Sequence, residues 1–322
     1  MSQLVGHSRA HAVGMVLLSA LSLQFGAAVA VILLGRVGPL GAVALRLSIA
    51  AVLLVGVVRP RVTHRDRADW AVGVAFGLTL GLMNLCFYEA AARLPLGAAV
   101  TLEFLGPLGL AVVTSRRARD LAWVALAGLG VILLSEGGFE RLDAVGVAFA
   151  LGAGGCWAGY ILLGSRASRR FPGAEGLAVA LVVATVAIAP PAALVAGPAL
   201  VEPGILLLGV GVALLSSAIP YTLELAALRR VSPGTFGVLM SLEPAVAALA
   251  GFLVLGQRLT PWQLLAVGLV VVASAGATWG GPSGAPREVV EPTTSATPTS
   301  VAVGGPTDQR DSAGDRDRAE GA

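Results

Sequence analysis

The stretch Arg93-Leu-Pro-Leu-Gly97, followed by Glu103-Phe-Leu-Gly-Pro107, recurs later in the chain as Arg230-Val-Ser-Pro-Gly234 and Met240-Ser-Leu-Glu243-Pro244. With Gly97 superposed on Gly234, the two copies align without a gap. Both copies lie in apolar segments long enough to cross a bilayer, where a carboxylate costs roughly 2.5–3.5 kcal/mol. A duplicated membrane half with polar groups near the midplane is typical of a secondary transporter.

The composition is that of a membrane protein. Of the 322 residues, 56% are hydrophobic and 13% are charged, which is about half the charged fraction of a soluble domain. The formal net charge is +3, and the chain contains arginine but no lysine. The arginines lie in short loops and form no basic patch interleaved with aromatic residues, so the pattern indicates no nucleic-acid partner.

Apolar runs of membrane-spanning length occur ten times. A hydrocarbon core of about 30 Å requires roughly 20 helical residues. The first run is too long for the apolar region of a signal peptide and is followed by no cleavage site. The sequence therefore predicts an all-α integral membrane protein whose ten transmembrane helices cover Ala12–Leu34, Pro39–Val58, Trp70–Ala92, Leu96–Ser115, Leu121–Gly138, Asp143–Gly164, Ala174–Gly197, Pro203–Leu228, Pro233–Leu255 and Thr260–Gly280.

Arginine is unevenly distributed between alternate loops. One set of loops holds Arg59, Arg61, Arg65, Arg67, Arg116, Arg117, Arg119, Arg166, Arg169, Arg170, Arg229 and Arg230. The other set holds only Arg36, Arg93, Arg141 and Arg258. Because arginine-rich loops stay in the cytoplasm, we expect both termini on that side of the membrane.

The duplication predicts two repeats of opposite orientation. Five helices per repeat is an odd number, so the second repeat enters the membrane from the opposite side, an architecture suited to alternating access. We assign the first repeat to residues 1–138 and the second to residues 139–280. Residues 281–322 are rich in Pro, Ser, Thr, Gly and acidic residues and predict a disordered cytoplasmic tail. Duplication within one chain makes a monomer sufficient but leaves a homodimer open.

Each copy of the repeated stretch places a carboxylate near a proline. Pro107 lacks the amide that would donate to the carbonyl of Glu103, and Pro244 lacks the one that would donate to the carbonyl of Met240. We therefore predict a helix kink in each repeat, beside protein or a wet cavity. Glu103 and Glu243 are candidates for substrate binding or proton coupling. The alternative is a structural pairing of each carboxylate with arginine or a hydroxyl group.

Three further polar residues of the first repeat are candidates for the same site. Arg46 is the only arginine well inside an apolar run, and its guanidinium suits either a protein carboxylate or a substrate carboxylate. Asn84 and Tyr88 continue a stripe of glycines along one helix face. They either face a cavity or join neighbouring helices by hydrogen bonds.

The second repeat adds four candidates. Pro220 predicts another helix kink, and Tyr221 and Glu224, which follow it, are one helical turn apart. Trp157 follows two glycines and is expected in an aromatic cavity wall. Its neighbour Tyr160 fits either that wall or an interfacial aromatic belt.

No metal or cofactor is expected from the sequence. The three histidines form no ligand cluster. Cys86 and Cys156 both fall in apolar segments, where small buried side chains are more frequent than a disulfide or a metal pair.

The chain resembles the threonine and homoserine exporters of the drug/metabolite transporter superfamily, which contain two EamA-type repeats. The resemblance runs from the first helix to the tenth. Its most specific segments are Met83-Asn84 through Tyr88, Pro95-Leu96-Gly97 through Leu102-Glu103-Phe104, Gly106-Pro107, Ser115-Arg116-Arg117, Ala150-Leu-Gly-Ala-Gly154, Cys156-Trp157-Ala158, Pro220-Tyr221, Leu223-Glu224, and Thr235-Phe236-Gly237 through Leu242-Glu243-Pro244-Ala245.

The resemblance implies a carrier of the inner (plasma) membrane that exports small metabolites against an inward proton gradient. Threonine, homoserine and related amino acids are the implied substrates. It makes Asn84, Tyr88, Glu103, Tyr221, Glu224 and Glu243 cavity residues and Arg46 a charge partner. Glu89 and the acidic tail depart from the family pattern.

The leading hypothesis is therefore proton-coupled export of a small amino acid, with Glu103 or Glu243 as the coupling carboxylate. A carrier or passive facilitator for another metabolite or a drug is the main alternative. A membrane-embedded enzyme is the distant one, because the sequence has no catalytic constellation of carboxylates, serine and histidine.

Overall fold

The computed structural model describes residues 2–61, 65–115, 120–134, 143–228 and 233–279, and this part of the chain is helical without a strand. The described residues belong to one compact unit, Met1–Ser283. The predicted tail (281–322) and the predicted repeat boundary at residues 138 and 139 lie outside the described residues.

Twelve α-helices are present in that part of the chain. They are α1 (Ser2–Val58), α2 (Arg67–Ala91), α3 (Leu96–Glu103), α4 (Leu105–Ser115), α5 (Asp120–Leu134), α6 (Ala144–Arg170), α7 (Glu175–Ala196), α8 (Pro203–Ala213), α9 (Ile219–Leu228), α10 (Pro233–Met240), α11 (Glu243–Leu255) and α12 (Pro261–Trp279). A 3₁₀ turn, Gly197–Val201, follows α7, and a π-helical segment, Leu214–Ala218, joins α8 to α9.

Six helical segments within the described ranges are long and apolar enough to cross a membrane. They are Val13–Val58, Arg67–Ala91, Leu96–Thr114, Ala144–Arg170, Glu175–Val201 and Thr235–Leu255. Shorter apolar helices cover Ala122–Leu133, Pro203–Ala218 and Pro261–Ala277. The expectation of an all-α, multi-pass membrane protein is confirmed.

Helix α1 is divided by Gly38 into arms at residues 2–37 and 39–58. Gly38 has φ 70° and ψ 173°, which a residue with a side chain rarely adopts. Pro39 then begins the second arm, because its fixed φ suits the first helical position. The predicted division between Leu34 and Pro39 therefore lies close to the observed one, although the first arm begins earlier than Ala12.

Two further helical runs are broken at equivalent places. In the first, α3 ends at Glu103 and α4 begins at Leu105. In the second, α10 ends at Met240 and α11 begins at Glu243. Phe104 and Leu242, which lie in these breaks, keep right-handed helical dihedral angles. The breaks are therefore losses of helical hydrogen bonding rather than reversals of the chain.

Helix α6 ends six residues later than predicted, at Arg170 rather than Gly164. Its last turn contains basic residues, whose positive charge interacts favourably with the negative end of the helix dipole. Arg170 bonds Asp69 at 2.9 Å, and Arg65 pairs with Glu175 at 2.6 Å. These pairs connect the beginning of α2 to the end of α6 and to the beginning of α7.

A second set of polar contacts joins helix ends on the opposite side of the bundle, where α2 ends and α3 and α6 begin. Arg93 pairs with Glu89 and lies 3.8 Å from Asp143. The backbone amide of Leu96 donates to Gln257 Oε1 at 2.9 Å, which caps the beginning of α3. The middle of the bundle, between these two polar ends, contains the site.

Candidate functional site

A cavity of about 200 Å³ lies where the broken helices meet α1, α2 and α6. Its wall combines three charged side chains with amide, hydroxyl and aromatic groups. The lining residues are Leu23, Gln24, Ala27, Arg46, Met83, Asn84, Phe87, Val100, Glu103, Trp157, Tyr160, Ser216, Pro220, Met240 and Glu243.

Glu103 is the last residue of α3 and reaches the cavity from the first break. Its carboxylate makes no hydrogen bond or ion pair within the described part of the chain, and Arg46 is the charged group that interacts with it electrostatically. Its backbone carbonyl, which Pro107 deprives of a donor, faces Gly154 of α6. A Cβ on Gly154 would lie 2.6 Å from that carbonyl oxygen, so only glycine permits this approach.

Glu243 is the first residue of α11 and reaches the same cavity from the second break. Its side chain is buried, and its Oε2 accepts a hydrogen bond of 3.2 Å from Gln24 Nε2 on α1. The amino end of a helix also favours a negative charge. Glu243 is therefore held by a side chain 219 positions away, whereas Glu103 faces the cavity.

Arg46 is held beside the cavity by α2 and by the π-helical segment. One guanidinium nitrogen donates to the carbonyl of Ser216 at 3.2 Å, and another lies 3.5 Å from the hydroxyl of Tyr88. The guanidinium carbon lies 5.8 Å from the centre of the Tyr88 ring. These contacts fix the arginine from the protein side.

The carbonyl that holds Arg46 is available because of Pro220. A helical carbonyl bonds the amide four residues later, and for Ser216 that residue is a proline without an amide proton. The π-helical segment also frees the preceding carbonyl, of Leu215, which accepts a hydrogen bond of 2.8 Å from Ser22 Oγ. Gly26 allows α1 to approach this segment, because a Cβ there would overlap with Ser216.

Aromatic side chains form the wall on α6. Trp157 packs edge-on against Phe104, with ring centres 4.9 Å apart, and Tyr160 lies 4.9 Å from Phe76. Asn84 on α2 completes this side. It is 4% exposed and donates to the carbonyl of Leu80 at 2.9 Å, so its amide oxygen is the group left for a ligand.

Six predicted site residues thus lie around one cavity: Glu103, Glu243, Arg46, Asn84, Trp157 and Pro220. Tyr88 is 1% exposed, and it lies behind Arg46 rather than in the cavity wall. The side chains of Tyr221 and Glu224 lie outside the described residues. Glu89 is bound to Arg93, away from the cavity.

Sequence reasoning missed two polar residues of the wall, Gln24 and Ser216. Gln24 carries the only amide side chain in the run Ala12–Leu34. A single amide in an apolar helix was the feature from which its place in the site could have been predicted. Ser216 lies four residues before Pro220, so its carbonyl was identifiable as one that loses its helical donor.

Metal-binding groups of three or more His, Cys, Asp or Glu are absent from the described ranges. Cys86 and Cys156 are both free thiols.

Comparison with known proteins supports a transporter. The model of the EamA-like transporter family matches residues 144–279. The threonine/homoserine exporter RhtA of Escherichia coli is 43% identical over 259 residues, covering 80% of this chain and 88% of the relative. The exporter of the same name from Salmonella typhimurium is 44% identical over 267 residues, covering 82% and 90%.

More distant proteins agree with this result. The uncharacterized transporter YwfM of Bacillus subtilis is 29% identical over 173 residues, or 51% of this chain and 58% of the relative. A solved crystal structure with 22% identity superposes with a TM-score of 0.58, covering 84% of this chain and 97% of that one, and supports the fold. The predicted resemblance is confirmed: the chain belongs to the EamA-like transporter family and is a transporter rather than an enzyme.

Proposed function

We propose that this protein exports threonine, homoserine or a closely related small amino acid across the inner membrane by proton antiport with alternating access. The observation that carries the proposal is the cavity that gathers Glu103, Glu243 and Arg46. Oppositely charged groups around one small cavity suit a zwitterion, which has one carboxylate and one ammonium group.

The cavity volume favours a small substrate over a drug. Drug-sized ligands occupy pockets of about 300–1,000 Å³, whereas this cavity measures about 200 Å³. The relatives named as threonine/homoserine exporters, which align over most of this chain, supply the substrate class.

Each charged group has a separate part in the proposal. Arg46, fixed by Ser216 and Tyr88, receives the substrate carboxylate through its planar guanidinium. Glu103, whose carboxylate faces the cavity, binds the ammonium group or a proton but not both. That exclusion couples outward movement of the amino acid to inward movement of a proton. Glu243 shapes the site through Gln24.

The proposed topology has ten transmembrane helices in two inverted repeats, at residues 1–138 and 139–280, with both termini cytoplasmic. The broken run Ser2–Val58 supplies two of these helices, and the pairs α3–α4, α8–α9 and α10–α11 supply one each. The equivalent positions of the two breaks support the repeat. A single chain carries the whole cavity, so the proposed working unit is a monomer, although a homodimer is compatible with it.

The test is efflux of radiolabelled threonine and homoserine from preloaded cells, with and without the protein and with a protonophore. We expect faster efflux that collapses when the proton gradient is removed. Efflux that persists unchanged with the protonophore would replace the antiporter with a facilitator. No difference between cells, when the protein is shown in the membrane, would contradict the substrate assignment.

A further inference from the structure

Gln24 Oε1 and Ser216 Oγ are buried polar atoms of residues in the cavity wall, and neither atom has a hydrogen-bond partner among the residues that the structure describes. Gln24 is 3% exposed and Ser216 is 2% exposed, so bulk water does not compensate for the missing bonds. Because native proteins pair most buried polar atoms, an unpaired couple in a binding cavity points to a ligand.

Both groups are fixed by contacts that leave these atoms unused. The amide nitrogen of Gln24 is engaged by Glu243, so the oxygen of the same amide is left as an acceptor. The carbonyl of Ser216 is engaged by Arg46, and the neighbouring carbonyl of Leu215 by Ser22. The Ser216 hydroxyl is left as a group that both donates and accepts.

We propose that Gln24 and Ser216 form a subsite that binds the side-chain hydroxyl of the exported amino acid. This inference rests on the proposed function. The hydroxyl proton goes to Gln24 Oε1, and the hydroxyl oxygen accepts from Ser216. Threonine carries its hydroxyl on the third carbon and homoserine on the fourth, so two hydrogen-bonding groups serve both positions.

The subsite makes a prediction about 2-aminobutyrate. This amino acid has the carbon skeleton of threonine and homoserine but lacks the hydroxyl group. When it occupies the cavity, Gln24 Oε1 and Ser216 Oγ stay unpaired. A site built to bond a hydroxyl rejects the analogue that lacks it, so transport of 2-aminobutyrate is expected to be slow.

The test uses the full-length protein in proteoliposomes with an imposed proton gradient. Transport of L-homoserine, L-threonine and L-2-aminobutyrate is compared for the unmodified protein, Ser216→Ala and Gln24→Met. Ser217→Ala is the matched control, because Ser217 lies in the same π-helical segment but not in the cavity wall. We expect the unmodified protein and the control to prefer the hydroxylated substrates by about tenfold. Ser216→Ala should lower that preference to about threefold or less while retaining transport of 2-aminobutyrate. Gln24→Met should lower the preference to the same extent but slow transport of all three amino acids as well, because it also removes the hydrogen bond to Glu243.

Three results would overturn the subsite. Equal transport of all three amino acids by the unmodified protein would remove its basis while leaving the exporter intact. So would an equal loss for all three substrates in both variants, which would indicate a structural role. Absence of amino-acid transport by the unmodified protein would instead contradict the proposed function, and the subsite with it.

Discussion

The two broken helical runs, α3–α4 and α10–α11, differ in where they carry a carboxylate. At equivalent positions the first run has Glu103 and the second has Met240, whereas the second has Glu243 where the first has Gly106. Both Glu103 and Met240 line the cavity. The two breaks therefore share a backbone arrangement but present different side chains to their surroundings.

Neighbouring helices account for this difference. Gly106 lies against the backbone of Gly154, where a Cβ would overlap with its atoms, so the first run has no space for a side chain there. The equivalent Glu243 meets the amide of Gln24. Both carboxylates therefore lie in the cavity wall, but the second is held by a hydrogen bond from Gln24 whereas the first makes none within the described part of the chain.

The largest expected effect tests whether Glu103 is the coupling group. Glu103→Gln keeps the shape of the side chain but cannot exchange a proton, so gradient-driven export should fall to the level of cells without the protein. The measurement is amino-acid efflux together with the amount of inserted protein. Glu89→Gln is the matched control and should retain export, because that carboxylate bonds Arg93 away from the cavity. Unchanged gradient dependence in Glu103→Gln would contradict the assignment.

A second prediction concerns the packing of the first break. Gly106→Ala places a methyl group into the backbone of Gly154. Overpacking lowers the stability of a protein by about 1–3 kcal/mol. Because the backbone of Gly154 has little freedom to move, we expect a loss near the upper end of that range. The apparent melting temperature in detergent measures this loss. Gly109→Ala is the matched control and should melt like the unmodified protein, because no neighbouring atom lies within 4 Å of a Cβ placed on Gly109. Equal melting of the two variants would refute the close contact.

Glu243→Gln is expected to have a smaller effect on transport than Glu103→Gln. A neutral amide still accepts a hydrogen bond from Gln24, although a bond to a charged group is about twice as strong. We expect export to decrease by about five- to tenfold and to remain dependent on the proton gradient. Efflux measured with and without a protonophore shows whether export by this variant still depends on the proton gradient. Loss of gradient dependence in this variant would assign the coupling to the second break.

The smallest effect concerns the beginning of α3, where Gln257 caps the amide of Leu96. Gln257→Ala removes the acceptor and should lower the free energy of unfolding by about 0.5–2 kcal/mol. Gln257→Glu retains an acceptor and should be close to the unmodified protein. Thermal melting of both variants provides the measurement. A Gln257→Ala variant with undiminished stability would show that the cap is dispensable.

The sequence allowed much of this arrangement to be predicted, because membrane insertion imposes simple rules on it. Apolar runs gave the helices, and Pro39 marked the division of α1 close to its place at Gly38. Burial of charge in an apolar run identified Glu103, Glu243 and Arg46, which all line the cavity. For Tyr88 the sequence left open a place in the cavity wall or a bond between helices; its hydroxyl contacts Arg46 of α1, a neighbour that a helical stripe does not specify.

By itself, the sequence determined that the chain is a helical, multi-pass membrane protein with carboxylates inside its apolar segments, since length, hydropathy and proline position act locally along the chain. Only the tertiary structure decided which of the two cavity carboxylates is held by a hydrogen bond from a neighbouring helix. That outcome depends on Gln24 meeting Glu243 across 219 positions and on Gly154 meeting the carbonyl of Glu103. Such contacts depend on how helices pack in three dimensions, which no local pattern specifies.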